Sequence, residues 1–203
     1  GSWDEVECKE NGNPIENRTY SFKSYKDTVY IEIKKWESKE ADSNQLKLST
    51  ASENVYVFSE NFKIPQLNRT RKIAIYLPPD YYSQIETYPV LYILDGQNIF
   101  DETTSYSGEW EVDEQLNALS KNNGYNIIVV AIDHGIENRL KEYSAWDNEK
   151  HGPGEGEAFL DFIVNTLKPE IDNTYRTKSD NNNTGIMGSS MGGLFSHFAH
   201  FKG

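Results

Sequence analysis

Three features are scarce in this sequence, and each scarcity excludes a class of protein or site. The only cysteine is Cys8, so the chain forms no internal disulfide and offers no thiolate cluster to a metal. Its 20 basic residues are outnumbered by 32 acidic ones, and no basic stripe is present to meet phosphates. The apolar runs at residues 90–94 and 127–132 are far shorter than the roughly 18 residues of a membrane-spanning helix. We therefore expect no nucleic-acid partner and no membrane span.

Aromatic residues, in contrast, are plentiful and indicate a folded protein. The 203 residues include 13 Tyr, 9 Phe and 4 Trp, which bury enough apolar surface to offset chain entropy. Residues 38–53 are polar and lack sustained periodicity, which predicts a linker. The predicted domains are therefore a short β segment at residues 1–37, the linker at 38–53, and a main domain at 54–203. Within the first part, residues 28–33 alternate in polarity and predict a strand.

The main domain alternates predicted strands and helices. Two continuous apolar runs, at residues 89–94 and 126–132, are typical of parallel strands buried on both faces. Helical periodicity at 156–167 predicts a helix that Pro169 ends or kinks. The remaining predicted strands are 55–58, 71–77 and 184–188, and the remaining predicted helices are 111–120 and 194–201. Such alternation predicts an α/β fold with a mainly parallel sheet.

The motif Gly188-Ser-Ser-Met-Gly192 matches G-x-S-x-G and follows a predicted strand directly before a predicted helix. In this context the pattern predicts a nucleophilic serine, Ser190, on a sharp turn where larger side chains would clash. The N–H group of Met191, at the start of the helix, is positioned to stabilise an oxyanion. The alternative is a Ser/Gly-rich turn that caps an ordinary helix.

Several segments in this order resemble the esterase D family of the α/β-hydrolase fold, which includes enterochelin, feruloyl and acetyl xylan esterases. They are RTRKIAIYLPPD near residue 70, YPVLYILDGQNIFD at 88–101, GEWEVDEQL at 108–116, FLDFIVNTLKPEIDNTYRT at 159–177 and GIMGSSMGG at 185–193. The resemblance implies a serine esterase with Ser190 as nucleophile and Met191 as one oxyanion donor. It also implies a second donor after the third strand of the main domain, from Gly96 or Gln97.

The resemblance further implies that the loop IDHGIENRLKEYSAW, after the fourth strand, contacts the substrate. Arg139 would meet an anionic or hydroxyl-bearing substrate, and Trp146 would stack on a ring. His134 is a third candidate in this loop, with a satisfied surface histidine as its alternative. The alternative for the whole loop is a solvated charged segment with one buried aromatic anchor.

Residues 1–36 resemble the closing strands of a starch-binding-type or glycogen-binding-type carbohydrate-binding module, which implies carbohydrate-linked esters as substrates. A small-molecule or polysaccharide ester is the expected partner, and a secreted or periplasmic location is slightly favoured. No metal-ligand spacing is evident, so we expect no metal and no cofactor.

The triad of this fold continues with an acid and then a histidine. The residues after Ser190 contain no acid, so we expect a domain truncated after the nucleophile helix. The competing hypotheses are a degenerate, non-catalytic carbohydrate-binding protein, an acyltransferase, and a siderophore esterase of the same fold.

Overall fold

A computed structural model describes residues 5–8, 30–33, 35–38, 48–106 and 108–202. The chain divides into two compact units, residues 1–46 and 47–203. In the first unit, strands β1 (Glu5–Cys8) and β2 (Lys35–Ser38) pair antiparallel, with Val6 opposite Glu37. The prediction of a strand at 28–33 is wrong for residues 30–33, which are exposed and have no regular structure. An alternating segment forms a strand only against a partner, and the pairing here begins at Lys35. Residues 28 and 29 lie outside the described residues, and the likeness to a carbohydrate-binding module stays a prediction.

The division at 46/47 falls inside the predicted linker at 38–53, whose residues 39–47 lie outside the described residues. The end of this stretch is attached to the second unit. Thr50 Oγ1 donates a hydrogen bond of 2.6 Å to Glu109, and the Ser52 N–H donates one of 2.8 Å to Asp113. Residues 50–52 are therefore held against the main domain by hydrogen bonds.

The second unit contains a five-stranded sheet of order β3-β4-β6-β5-β7. The strands are β3 (Val55–Ile64), β4 (Arg69–Tyr76), β5 (Val90–Leu94), β6 (Ile128–Ile132) and β7 (Thr184–Met187). β4 pairs antiparallel with both of its neighbours, whereas β5 pairs parallel with β6 and β7. All strands except β4 therefore run in one direction, which confirms the predicted mainly parallel sheet.

Helices cover both faces of this sheet. They are α1 (Val112–Asn123), α2 (Arg139–Glu142), α3 (Gly156–Phe162), α4 (Lys168–Thr174) and α5 (Met191–Lys202), with a π-helical turn at Ile163–Leu167 between α3 and α4. Short 3-10 turns lie at Pro65–Leu67, Gly96–Asn98, Ile136–Asn138 and Asn181–Asn183. Among the described residues, no helix is both long enough and apolar enough to traverse a bilayer.

The buried strands show why their sequences are continuously apolar. In β6, Ile128, Val130 and Ile132 pack into one core cluster with α3, α4 and α5. The alternate residues Val129 and Ala131 pack into a second cluster on the α1 side. Because side chains alternate along a strand, both sets must be apolar when both faces are covered.

Pro169 does not end the helical segment, so the first of the two predicted alternatives is wrong, and the alternative of a kink stays a prediction. The segment continues through α4 to Thr174, and Pro169 lies in the first turn of α4, directly after the π-helical turn. The Lys168 N–H, just before Pro169, donates to the Ile163 oxygen, so the helical hydrogen bonds continue up to the proline.

Candidate active site

The turn between β7 and α5 holds Ser190 in a conformation that non-glycine residues seldom adopt. Ser190 has φ 54°, in the left-handed region, at a cost of roughly 1–3 kcal/mol. The turn is also too narrow for larger neighbours, since a Cβ on Gly188 would lie 2.7 Å from the carbonyl carbon of Gly192. A Cβ on Gly193 would lie 3.2 Å from the Gly188 oxygen. This geometry explains the glycine at 188 and the small residue at 193.

Ser190 lies at the surface, and its hydroxyl has no hydrogen-bond partner among the described residues. Its carbonyl accepts a bond of 3.0 Å from the Leu194 N–H, which closes the first turn of α5. The N–H of Met191 precedes that first donor, so it belongs to the helix-end donors that lack a partner within the helix. An oxyanion formed beside Ser190 is therefore next to a free donor, as the prediction for Met191 requires.

The end of β5 lies beside the same turn. Ile93 pairs with Met187 in parallel register, so Gly96 and Ser190 each come three residues after a member of this pair. Gly96 is buried, and a Cβ there would lie 2.7 Å from the carbonyl carbon of Ile132 in β6. Only glycine therefore lets the chain leave β5 at this point.

Gln97 follows Gly96 in the same turn and is half-buried. The first hydrogen bond of this 3-10 turn runs from the Asn98 N–H to the Asp95 oxygen at 3.0 Å. The N–H of Gln97 lies ahead of that donor and has no partner within the turn. The structure thus brings both predicted second donors, Gly96 and Gln97, to the edge of the sheet that carries Ser190, and the choice between them stays open.

Arg139 pairs with an acid of the protein itself. Its Nε and Nη2 atoms donate hydrogen bonds of 2.6 and 2.8 Å to the two carboxylate oxygens of Asp95. The guanidinium also lies 5.1 Å from the centroid of the Tyr143 ring. The hydrogen bonds to Asp95 raise the pKa of Arg139. Its charge is therefore matched internally, and its contact with a substrate stays a prediction.

His134 lies in the loop after β6 and is linked to the end of β5. Its N–H donates a bond of 3.3 Å to Gln97 Oε1, and its Nδ1 accepts one of 2.9 Å from the Ile136 N–H. Burial lowers the pKa of the His134 imidazole, which favours the neutral form. This arrangement matches a satisfied histidine of a turn, and no hydrogen bond joins His134 to Ser190 within the described part of the chain.

A cavity of about 230 Å³ opens beside Gly96 and Gln97. Lys72 and Asp133 also line it, and together they add one charge of each sign to its wall. Burial raises the pKa of Asp133 to about 6, although the Lys72 ammonium and the Arg71 guanidinium oppose this shift. We name this cavity beside Gly96 and Gln97 the Lys72 cavity.

A second cavity has a volume of about 220 Å³. Met191, the residue after Ser190, lines it together with Trp146, Lys141 and His151. The Trp146 ring is 57% exposed and meets the Phe198 ring of α5 edge-on, with centroids 6.0 Å apart. We name it the Trp146 cavity, and its place beside Met191 suits the predicted role of Trp146.

Sequence reasoning missed two features that support this edge of the sheet. Asp95 is 3% exposed, has φ 60° and turns the chain toward Gly96. Glu142 is fully buried, and it accepts hydrogen bonds of 2.7 Å from Arg71 and 2.9 Å from Arg69. The pairing of two arginines with one acid left a signal in the sequence. Arg69 and Arg71 are two residues apart in one strand, so their side chains lie on the same face and call for a shared negative partner.

The sheet order, the reversed β4 and the sharp turn at Ser190 define an α/β-hydrolase fold, as expected. The chain belongs to the esterase family described as "Putative esterase", whose model matches residues 64–200. It is 28% identical over 138 residues to the uncharacterized protein YbbA of Bacillus subtilis strain 168. That match covers 65% of this chain and 51% of YbbA, so the chain spans about half the length of this relative.

Two solved structures have the same fold. The IroE-like serine hydrolase of Shewanella oneidensis matches with TM-score 0.54 and 29% identity, covering 66% of this chain and 43% of the other. The enterobactin esterase FES of Shigella flexneri matches with TM-score 0.53 and 20% identity, covering 68% and 31%.

Proposed function

We propose that the chain carries the nucleophile part of a serine carboxylic ester hydrolase that acts through an acyl-enzyme on Ser190. The conformation of Ser190 carries this proposal, because a strained left-handed serine is retained only where the surrounding structure imposes it. Membership of the esterase family supports the same reaction class.

The chemistry follows from the groups around the turn. Ser190 Oγ attacks the ester carbonyl carbon while a general base takes the hydroxyl proton. The oxyanion is stabilised by the Met191 N–H and by the N–H of Gly96 or Gln97. The alcohol leaves with the proton, and water then releases the acid from the acyl-enzyme by the same steps.

The general base and its acid are proposed to come from residues that this sequence does not contain. In this fold they follow the nucleophile in chain order. Of the later residues, His197 packs its ring edge-on to Phe201 with centroids 4.7 Å apart, and no hydrogen bond to Ser190 is present among the described residues. An acyltransferase would use the same acyl-enzyme, with an alcohol in place of water.

For the substrate we propose a carbohydrate-linked ester or a similar one, with the acyl group in the Trp146 cavity. The N-terminal resemblance supports the sugar, and the exposed Trp146 ring beside Met191 supports an aromatic acyl group. A siderophore ester is the second candidate, because the enterobactin esterase of Shigella flexneri shares the fold.

A fluorophosphonate probe on the full-length protein tests the nucleophile. Labelling is expected in the wild type, lost in Ser190→Ala, and kept in Ser189→Ala, which removes the neighbouring exposed hydroxyl of the same turn. Labelling that survives Ser190→Ala would overturn the assignment. Absence of labelling in every form would favour a degenerate, non-catalytic protein.

A substrate panel tests the specificity. The full-length protein should hydrolyse feruloyl or acetyl sugars with a higher kcat/KM than short p-nitrophenyl esters. A strong preference for a catecholate siderophore would instead assign the function to siderophore hydrolysis.

A further inference from the structure

Three carboxylates meet at the start of α1, away from the nucleophile turn. Glu109, Asp113 and Glu114 each place one oxygen so that all three lie within 4.8 Å of one another. Two oxygens that bind the same calcium ion at about 2.4 Å are at most about 4.8 Å apart. The spacing therefore fits a shared cation.

Asp113 is the innermost member of this carboxylate cluster, and one of its oxygens has no partner. The residue is 0% exposed. Its Oδ2 accepts a hydrogen bond of 2.8 Å from the Ser52 N–H, whereas Oδ1 has no hydrogen-bond partner in the described part of the chain. A buried carboxylate oxygen without a donor is costly, and native structures supply it with a hydrogen bond, a counter-charge or a metal.

The other two members repeat this arrangement. Glu109 Oε2 accepts a bond of 2.6 Å from Thr50 Oγ1, while Glu109 Oε1 is buried without a partner. Glu114 Oε2 is likewise buried without a partner. Each of the three acids therefore has one carboxylate oxygen that is buried and has no hydrogen-bond partner among the described residues.

Among the residues that the structure describes, no basic side chain balances the charge of the carboxylate cluster. Within residues 48–106 and 108–202, no lysine, arginine or histidine forms an ion pair with Glu109, Asp113 or Glu114. Burial of a carboxylate away from water without compensation costs several kcal/mol per ion, as an order of magnitude.

We propose that Glu109, Asp113 and Glu114 form a binding site for a hard divalent cation, with Ca²⁺ as the ion that fits best. All three ligands are carboxylate oxygens, the type that Ca²⁺ and Mg²⁺ prefer, and among the described residues no histidine or cysteine joins the cluster to favour zinc. Ca²⁺ accepts irregular ligand sets completed by water, whereas Mg²⁺ demands a near-ideal octahedron.

The cation would fasten together parts of the chain that are distant in sequence. Thr50 and Ser52 bind two of the ligands directly, so residues before β3 are tied to the start of α1. The Trp110 N–H, next to Glu109, donates a bond of 2.8 Å to the Asn98 oxygen, directly after Gln97. The cation would therefore brace the segment behind the proposed oxyanion donor without contact to the substrate.

Calcium binding and thermal unfolding of the full chain test the proposal. After treatment with EDTA and removal of the chelator, 1 mM CaCl₂ at pH 8 should raise Tm by about 5 °C. Isothermal titration should show one site per chain. Glu114→Gln should lose both the Tm increase and the binding heat. It should remain folded, because the amide removes a charge that repels the other two carboxylates. Glu111→Gln, an exposed acid next to the site, should keep both responses.

Two results would overturn the proposal. The first is the absence of any titration heat or Tm change with Ca²⁺, Mg²⁺ or Mn²⁺ in the wild type. If Glu114→Gln is also more stable than the wild type in that case, the carboxylates share a proton instead of a cation. The second is an equal Ca²⁺ response in Glu114→Gln, which would place the ion elsewhere.

Discussion

Asp95 and Arg139 form a bidentate ion pair beside Gly192, in the turn that carries Ser190. The N–O distances are 2.6 and 2.8 Å, and a Cβ added to Gly192 would lie 3.4 Å from Asp95 Oδ2. Asp95 is also the left-handed residue that leads into Gly96. The ion pair therefore ties Asp95, the last residue before the proposed oxyanion donors, to the start of α2. The same carboxylate also lies beside Gly192 in the first turn of α5.

The first prediction concerns the energy of this pair. Arg139→Met should lower the free energy of unfolding by about 3 kcal/mol, because it leaves a buried carboxylate without its partner. The double variant Asp95→Asn/Arg139→Met should lose less than the sum of the two single variants, with a coupling of about 1–3 kcal/mol by urea denaturation. Lys141→Met, which removes a nearby cation without an ion pair among the described residues, is the control. Zero coupling would mean that Arg139 is free for another role.

The second prediction separates the two glycines of the G-x-S-x-G motif. Gly188→Ala should lower the free energy of unfolding by about 1–3 kcal/mol, because its Cβ meets the backbone of Gly192 at 2.7 Å. Gly192→Ala should be tolerated within about 1 kcal/mol, since its nearest contact is 3.4 Å and alanine favours the helix. Urea denaturation of the two matched variants measures the difference. Equal losses would contradict the geometry of the turn.

The third prediction concerns pH and Asp133. Burial raises its pKa from 3.8 to about 6 in the folded protein. Between these values the folded protein holds a proton that the unfolded chain has lost, so this residue's contribution to stability falls as pH rises. At pH 7.5, Asp133→Asn should therefore be more stable than the wild type by about 2 kcal/mol after allowance for solvent screening.

Urea denaturation at pH 4 and pH 7.5 tests this effect, and the gain should disappear at the lower pH. Glu137→Gln, an exposed acid of the same loop, should show no such difference between the two pH values. If Asp133→Asn raised the free energy of unfolding equally at both pH values, its effect would not come from the ionisation of Asp133.

The fourth prediction concerns the Trp146 cavity. In the full-length protein, Trp146→Ala should lower kcat/KM for a feruloyl ester by about 2- to 10-fold, the value of one aromatic contact, and should leave an acetyl ester nearly unchanged. Tyr125→Ala removes a similarly exposed ring after α1 and should change neither. Equal losses for both esters would argue against a ring in this cavity.

Much of the fold was predictable because its elements have simple periodicities. The runs that form β5 and β6 are apolar at every position, as a strand covered on both faces must be. The Ser190 turn was predictable because its backbone leaves no room for a side chain at Gly188. Such local constraints leave a direct trace in the sequence.

The contacts around the site left no such trace. Arg139 binds Asp95, which is 44 residues away, so its loop position alone suggested a substrate contact. The expectation that no metal binds rested on His and Cys spacing, and it did not consider carboxylates brought together by a loop and α1. Pairings across long sequence distances depend on the sheet order, which periodicity does not encode.

The π-helical turn at Ile163–Leu167 keeps one apolar stripe in phase over a long helical segment. Phe159, Ile163, Leu167 and Ile171 recur at every fourth residue, and all four are buried. In a regular α-helix each such step overshoots a full turn by about 40°, so three steps would rotate Ile171 by roughly 120° away from the sheet. A π turn holds one extra residue, worth about 100°, and so cancels most of this drift. Deletion of a single residue within 163–167 would therefore restore a regular helix and leave Ile171 only about 20° from the line of Phe159, still facing the core.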